Sequence, residues 1–143
     1  MIYEKIREPS KEEKKKILNS VTEILDKHEE VSFAYLHGSF VGDSGFRDID
    51  IAVFLSSMPV SVLDYELDME FALMEVAKGC PVDFRVLNST PLSFQYNVIK
   101  NGLILLVRDD DERSEFQERT LREYFDFAPY HRNYLKEILK IET

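Results

Sequence analysis

The chain contains the stretch Leu36-His37-Gly38-Ser39-Phe40, followed after a short loop by Arg47-Asp48-Ile49-Asp50-Ile51-Ala52-Val53-Phe54-Leu55. A Gly-Ser pair closes one apolar run, and two carboxylates one residue apart open the next. Successive strand side chains alternate between faces, so Asp48 and Asp50 point to the same side of the predicted strand. Two carboxylates on one face repel unless a cation lies there, and Mg²⁺ is usually held by one or two carboxylates plus substrate phosphates. Because glycine allows close backbone approach and serine offers a hydroxyl to a phosphate, the stretch predicts a metal and nucleotide site.

The hydrophobic pattern around this stretch predicts helices and strands in the order α-β-β-α-β-α-β-α. The loop Gly42–Gly45 is too short for a helical crossover, so the first two strands could pair antiparallel or lie in a mixed sheet. The apolar stripe of Leu63, Leu67, Phe71 and Met74 in the fourth predicted element, a helix, is interpreted as core packing. The predicted elements are a helix from the N-cap Ser10 to about His28, strands Val31–His37 and Ile49–Leu55, a helix Ser61–Ala77, a strand Val82–Leu87, a helix that begins at Pro91 and ends near Asn101, a strand Leu103–Val107, and a long C-terminal helical segment of about residues 112–140 that Pro129 kinks or splits.

Size and composition restrict the class of protein. A length of 143 residues with 44% hydrophobic residues suits a single domain with one core. The formal net charge of −9 excludes generic binding to nucleic-acid backbones, and suits either plain solubility or a basic protein partner. No apolar run has membrane length and Met1–Lys5 lack a signal peptide's apolar region, so we expect a cytoplasmic protein. Cys80, the single cysteine, is expected to be a buried structural thiol.

Asp83 is the second acidic residue of interest. It stands in a predicted strand among Val82, Phe84 and Val86, and a buried carboxylate is costly unless it is paired or bound to metal. In the alternative interpretation Asp83 has a structural role only, in a salt bridge with Arg85, which lies two residues on and on the same face. If this strand lies beside the strand of Asp48, three carboxylates converge, and they could hold two divalent ions or one ion plus a general base for phosphoryl or nucleotidyl transfer.

On these residues the chain resembles the minimal nucleotidyltransferase (MNT) family, small members of the polymerase-beta-type nucleotidyltransferase superfamily. The shared pattern is Gly38-Ser39, a spacer of eight residues, Asp48-Ile49-Asp50, and Asp83 on a later strand. The resemblance covers most of the chain and implies one α/β (α+β) domain over residues 1–143, with a small mixed sheet packed by helices.

The resemblance also implies the roles of the site residues. Asp48, Asp50 and Asp83 would be catalytic and would bind Mg²⁺, with two ions expected. Asp83 would either complete the metal site or accept the proton of the attacking hydroxyl. Gly38 and Ser39 would hold the phosphates of ATP. The chain departs from the family after Gly-Ser, where a basic residue is common, and Arg47 could replace that charge.

MNT proteins are typically antitoxins of HEPN-type RNase toxins, so the resemblance implies transfer of AMP from ATP to a hydroxyl of the toxin, taken to be a tyrosine's. One alternative is a catalytically weak or inactive domain that neutralises the toxin by stoichiometric binding. A second is a small-molecule (aminoglycoside-type) nucleotidyltransferase, whose cationic substrate Asp43, Asp64 and Asp68 would face. Neither nucleic acid nor a membrane is an expected partner.

Overall fold

The stretch that carries Gly38 and Asp50 lies at the centre of a four-stranded sheet in the computed structural model, which describes residues 10–41 and 48–139. All eight predicted elements are present, in the predicted order, within these two ranges. The elements are helix α1 (Lys11–Asp26), strand β1 (Val31–His37), a 3₁₀ turn (Gly38–Val41), strand β2 (Ile49–Leu55), helix α2 (Val62–Val76), strand β3 (Val82–Val86), a second 3₁₀ turn (Leu87–Ser89), helix α3 (Leu92–Asn101), strand β4 (Leu103–Val107) and helix α4 (Asp110–Leu139).

The sheet is mixed, with strand order β3-β2-β1-β4. β1 pairs antiparallel with both β2 and β4, whereas β2 pairs parallel with β3. The short connection after β1 therefore gives the antiparallel pairing that was left open from sequence, and the parallel pair is joined through α2, as parallel strands require a crossover. Both β2 and β3 begin at the end of the sheet where β1 stops.

Helices cover both faces of the sheet. On one face, α1 and α2 pack their buried residues against Ala34, Leu36, Ile51 and Val53. On the other, Val98 of α3 and Phe116 of α4 pack against Phe33, Tyr35 and Ala52. Because β1 and β2 are central strands covered on both sides, their sequences are apolar on both faces. Cys80 is buried, as expected.

The apolar stripe on α2 differs from the prediction. Leu63, Leu67 and Phe71 are 64%, 46% and 72% exposed, while Met69 and Leu73 of the same helix are buried. The helix carries two apolar faces, and the periodicity that identified the outer one does not tell which of the two packs inward. The predicted core role of these three residues is wrong, whereas Met74, the fourth residue of the predicted stripe, is partly buried against the core, as predicted.

Two predicted boundaries also change at prolines. Pro91 is the N-cap of α3 and not its first helical residue, since its ψ of 155° is extended. Pro129 lies inside α4, which continues through it as one helix, so the predicted split does not occur. Within the described ranges, no helix combines the length and apolarity needed to cross a membrane.

Candidate active site

The sheet brings the three predicted carboxylates to one end. Asp50 on β2 pairs with Asp83 on β3 in the parallel register, and Asp48 precedes β2 by one residue. Asp50 also lies opposite His37, the last residue of β1. All four side chains belong to the face that α3 and α4 cover, because they share the strand parity of Tyr35 and Ala52. We call the end of the sheet that carries Asp48, Asp50, Asp83 and His37 the carboxylate end of the sheet.

Gly38 makes a turn that only glycine accommodates at this position. Its φ is +74°, in the left-handed region that favours glycine. A Cβ on Gly38 would overlap the Oδ2 atom of Asp50 and stand 3.0 Å from its Cγ atom. The backbone after β1 therefore lies directly against the Asp50 carboxylate, and Ser39, the next residue, is exposed beside it. A phosphate held by this turn would therefore lie near the Asp50 carboxylate.

The carboxyl of Asp50 has an unusual proton affinity. Burial, together with the negative charges of Asp48 and Asp83, raises the pKa of Asp50 to about 6, and the cation of Arg85 opposes the rise. Desolvation and neighbouring like charges both disfavour an ionised carboxyl. Such perturbed groups are concentrated at functional sites, although structural networks also produce them. A cation bound here would relieve the repulsion.

Asp83 is not buried as the sequence suggested. Its side chain is 43% exposed, because β3 is an edge strand whose outward positions are open to solvent. Arg85 Nε donates a hydrogen bond to Asp83 Oδ1 at 3.1 Å, and this contact is the main cause that raises the pKa of Arg85. The two interpretations offered from sequence therefore coexist: Asp83 lies beside Asp50 and is also paired with Arg85.

His37 is a site residue that sequence reasoning missed, since its spacing matched no metal motif. Its Nε2 atom is buried and has no hydrogen-bond partner among the described residues. The ring of Phe94, from α3, meets the imidazole edge-on at 5.5 Å between centroids. Burial lowers the pKa of His37, against the opposing effect of Asp83 and Asp48, so the imidazole is neutral near pH 7. The feature of the sequence that could have identified His37 as a site residue is its position directly before Gly38-Ser39.

Lys14 is a second site residue that the sequence analysis did not identify. Its Nζ donates a hydrogen bond to the carbonyl oxygen of Phe40 at 3.2 Å and lies 4.9 Å from the centroid of the Phe40 ring, whereas Lys15 and Lys16 are exposed. Phe40 follows Ser39 in the same 3₁₀ turn. A basic side chain thus stands beside the Gly-Ser turn, although it comes from α1 and not from the loop.

The remaining predicted residues fall elsewhere. Arg47 and Asp43 lie outside the described residues. Asp64 and Asp68 are exposed on α2, which packs on the face opposite to the carboxylates, so they do not line the same site as Asp50. The structure therefore excludes Asp64 and Asp68 from the acidic pocket that the small-molecule alternative used.

A divalent ion fits the donor set only in part. Over residues 10–41 and 48–139, no group of three or more His, Cys, Asp or Glu side chains is arranged to hold a metal ion. Asp48 and Asp50 nevertheless supply two carboxylates on one face, which together with substrate phosphates is a common ligand set for Mg²⁺. We therefore propose that Asp48 and Asp50 would hold Mg²⁺ together with the phosphates of a bound nucleotide.

Known proteins share this fold. A chain in a complex of the tri-AMPylated Shewanella oneidensis HEPN toxin with an MNT antitoxin superposes with a TM-score of 0.70 and 18% identity, covering 88% of this chain and 98% of that one. A chain of a toxin-antitoxin complex with AMP-PNP gives a TM-score of 0.71 and 21% identity, covering 85% and 98%. A chain of the MntA-HepT toxin-antitoxin complex gives 0.65 and 18%, covering 91% and 99%. At these identities the likeness establishes the fold.

Among curated proteins, none matches the chain significantly. The family model described as polymerase beta, nucleotidyltransferase matches residues 19–111, which include Gly38, Ser39 and the three carboxylates. The match spans more than half of the chain and agrees with the arrangement at the carboxylate end of the sheet. The chain therefore belongs to the polymerase beta-type nucleotidyltransferase family.

Proposed function

We propose that this protein transfers AMP from ATP to a tyrosine hydroxyl of a HEPN-type toxin and thereby acts as its antitoxin in the cytoplasm. The observation that carries the proposal is the contact of the Gly38 turn with the Asp50 carboxylate, beside Asp83. Solved proteins of the same fold support the choice of acceptor and nucleotide, since they occur with an AMPylated HEPN toxin and with AMP-PNP.

In this mechanism the Gly38-Ser39 turn holds the β- and γ-phosphates, with backbone N–H groups and the Ser39 hydroxyl as donors. Asp48 and Asp50 would hold Mg²⁺, which neutralises the phosphate charge when bound. Lys14, next to the turn, adds positive potential on the phosphate side. The side chains at this end thus position the α-phosphate for attack from the side of β3.

The chemical step is an in-line displacement. The tyrosine oxygen forms a bond to the α-phosphorus, the bond from that phosphorus to the bridging oxygen breaks, and pyrophosphate leaves. Asp83 would accept the tyrosine proton once Arg85 releases its Oδ1 atom, because it lies beside Asp50 and its side chain is 43% exposed. Arg85 then remains close enough to stabilise negative charge on the attacking oxygen.

The proposal is tested with ATP labelled at the α-phosphate, Mg²⁺ and the purified cognate toxin. Wild-type protein is expected to label the toxin, and Asp48→Asn to lose about 10²-fold or more in rate, as expected when a metal ligand is lost. Glu23→Gln is the control, since it removes an exposed carboxylate of α1, on the face opposite to the site, and should leave the rate unchanged. An unlabelled toxin, with toxicity suppressed equally by wild type and Asp48→Asn, would contradict the enzymatic function.

A second candidate is neutralisation by binding alone. It is favoured by the engagement of Asp83 with Arg85 and by the absence, among the described residues, of a formed group of three metal ligands. The two functions differ in nucleotide binding. The transferase predicts that ATP with Mg²⁺ raises the Tm of the isolated protein, whereas an unchanged Tm at saturating nucleotide would favour the binding module.

A further inference from the structure

The outer surface of α2 carries residues that have no role in the proposed transfer reaction. Every exposed residue of this helix is either apolar or acidic: Leu63, Asp64, Leu67, Asp68, Phe71 and Glu75. From Met58 to Ala77 the chain has no Lys, Arg or His. Leu63, Leu67 and Phe71 are spaced four residues apart, so they form one continuous ridge, which we call the α2 ridge.

The inner side of α2 is held firmly to the sheet. The backbone N–H of Phe84 donates to Glu70 Oε1 at 3.2 Å, and that of Val86 donates to Glu66 Oε2 at 2.9 Å. These two carboxylates accept from two outward-facing donors of the edge strand β3, which makes that edge less available for strand addition. The α2 ridge is therefore presented on a rigid support, as a binding surface requires.

We propose that the α2 ridge is the docking surface for the cognate toxin, through a toxin surface that is apolar at its centre and basic around it. This inference rests on the proposed function for the identity of the partner. Exposed contiguous apolar side chains with a polar border mark interaction sites. Here the border is Asp64, Asp68 and Glu75, so complementarity requires Lys or Arg on the partner.

The same charges disfavour other occupants. Two copies of this chain that met through the ridge would bring Asp64 and Asp68 of each against those of the other, and like charges across an interface are costly. Anionic lipid surfaces and nucleic-acid backbones are repelled for the same reason. A basic protein surface is the partner class that gains from both the apolar ridge and its border.

Docking here would also place the toxin close to the site of chemistry. α2 ends at Val76, and a connection of residues 77–81 leads to β3, in which Asp83 is the second residue. The Phe71 end of the ridge therefore lies toward the carboxylate end of the sheet. A toxin held on the ridge could extend its acceptor tyrosine around the β3 edge to Asp83.

The test measures binding of the purified toxin by calorimetry without nucleotide, so the readout is independent of transfer. The double variant Leu67→Ser/Phe71→Ser is expected to raise the Kd by about tenfold or more, while its Tm stays at or above that of wild type because both side chains are exposed. Tyr134→Ser, which truncates a side chain of similar exposure on α4, is the matched control and should bind within about twofold of wild type. High salt should weaken wild-type binding more than that of Asp64→Asn/Asp68→Asn.

Several outcomes would overturn the proposal. These are wild-type affinity in the double variant, an equal loss in Tyr134→Ser, no binding by the wild type, or wild-type self-association that the double variant abolishes. Failure of the proposed function has a different signature: a wild-type complex that depends on the ridge but transfers no AMP. Transfer at the wild-type rate by the double variant, at low toxin concentration, would contradict the docking surface alone.

Discussion

At the scale of single residues, Gly38 and the Asp50 carboxylate determine each other's position. Gly38→Ala would combine left-handed backbone strain with a clash against Asp50, whereas Gly79, whose φ is +78°, has nothing within 4 Å of its hypothetical Cβ. We expect Gly79→Ala to cost about 1 kcal/mol in the free energy of unfolding and Gly38→Ala to cost about 1–2 kcal/mol more. Urea unfolding of both variants checks this, and equal costs would contradict the contact.

The raised pKa of Asp50 has a defined effect on stability. Its folded-state pKa of about 6 lies above the ordinary value of 3.8, so folding favours the protonated form. The stabilisation from protonation is complete below pH 3.8 and is lost as the pH rises through about 6. We expect the Tm of metal-free wild type, relative to that of Asp50→Asn, to fall over this window, and Mg²⁺ with ATP to offset the fall at neutral pH. Parallel Tm curves for the two proteins would contradict the assignment.

Lys14 allows a test of whether the turn at Gly38-Ser39 binds the phosphates of ATP. Lys14→Met is expected to raise the KM for ATP by about tenfold, since a charge near the phosphates is lost. Lys15→Met is the control, because Lys15 is exposed on the same helix and should leave the KM within about twofold of wild type. Initial rates over a range of ATP concentrations decide the matter, and indistinguishable KM values would remove Lys14 from the site.

Individual residues were predictable to different degrees. Asp48, Asp50, Gly38 and Ser39 could be proposed as site residues because their proposed chemistry depends on neighbours in the chain and on the alternation of one strand. His37 and Lys14 could not, because the partner of each comes from a distant element, Phe94 from α3 and the Phe40 carbonyl beside α1. The exposure of Asp83 depends on β3 being an edge strand, which local sequence does not state.

At the scale of elements, α2 shows what periodicity can and cannot predict. Its extent was predicted from apolar spacing as Ser61–Ala77, and the structure shows Ser61 as its N-cap, which accepts a hydrogen bond from the Asp64 backbone N–H. Its orientation did not follow, because the helix has two apolar faces and only the sheet beneath it selects one. The acids Glu66 and Glu70 are part of that selection, since they must reach β3.

The capping of the β3 edge by α2 is itself testable. Glu66→Ala would leave the Val86 N–H without its carboxylate acceptor and is expected to cost about 1–2 kcal/mol of unfolding free energy. Glu75→Ala, an exposed acid on the same helix, should cost less than about 0.5 kcal/mol. Chemical denaturation of the pair measures the difference, and a cost for Glu66→Ala no larger than that for Glu75→Ala would contradict the capping role.

At the scale of the whole molecule, the strand order of the sheet brings together candidate site residues that are distant in the sequence. The placement of β3 beside β2 was a condition stated from sequence, and the structure meets it with a parallel pair in which Asp50 is in register with Asp83. The placement of α1 and α2 on one face and α3 and α4 on the other separates the transfer site from the α2 ridge. This separation would let one protein hold a toxin on one surface and modify it at another.

The central claim is that the carboxylate end of the sheet attaches AMP to a toxin tyrosine. Intact-mass spectrometry of the cognate toxin, after incubation with this protein, ATP and Mg²⁺, tests it most directly. The account predicts a mass increase of one or more AMP units, located on tyrosine by fragmentation and absent with Asp48→Asn. A toxin of unchanged mass in a complex that still neutralises it would contradict the claim.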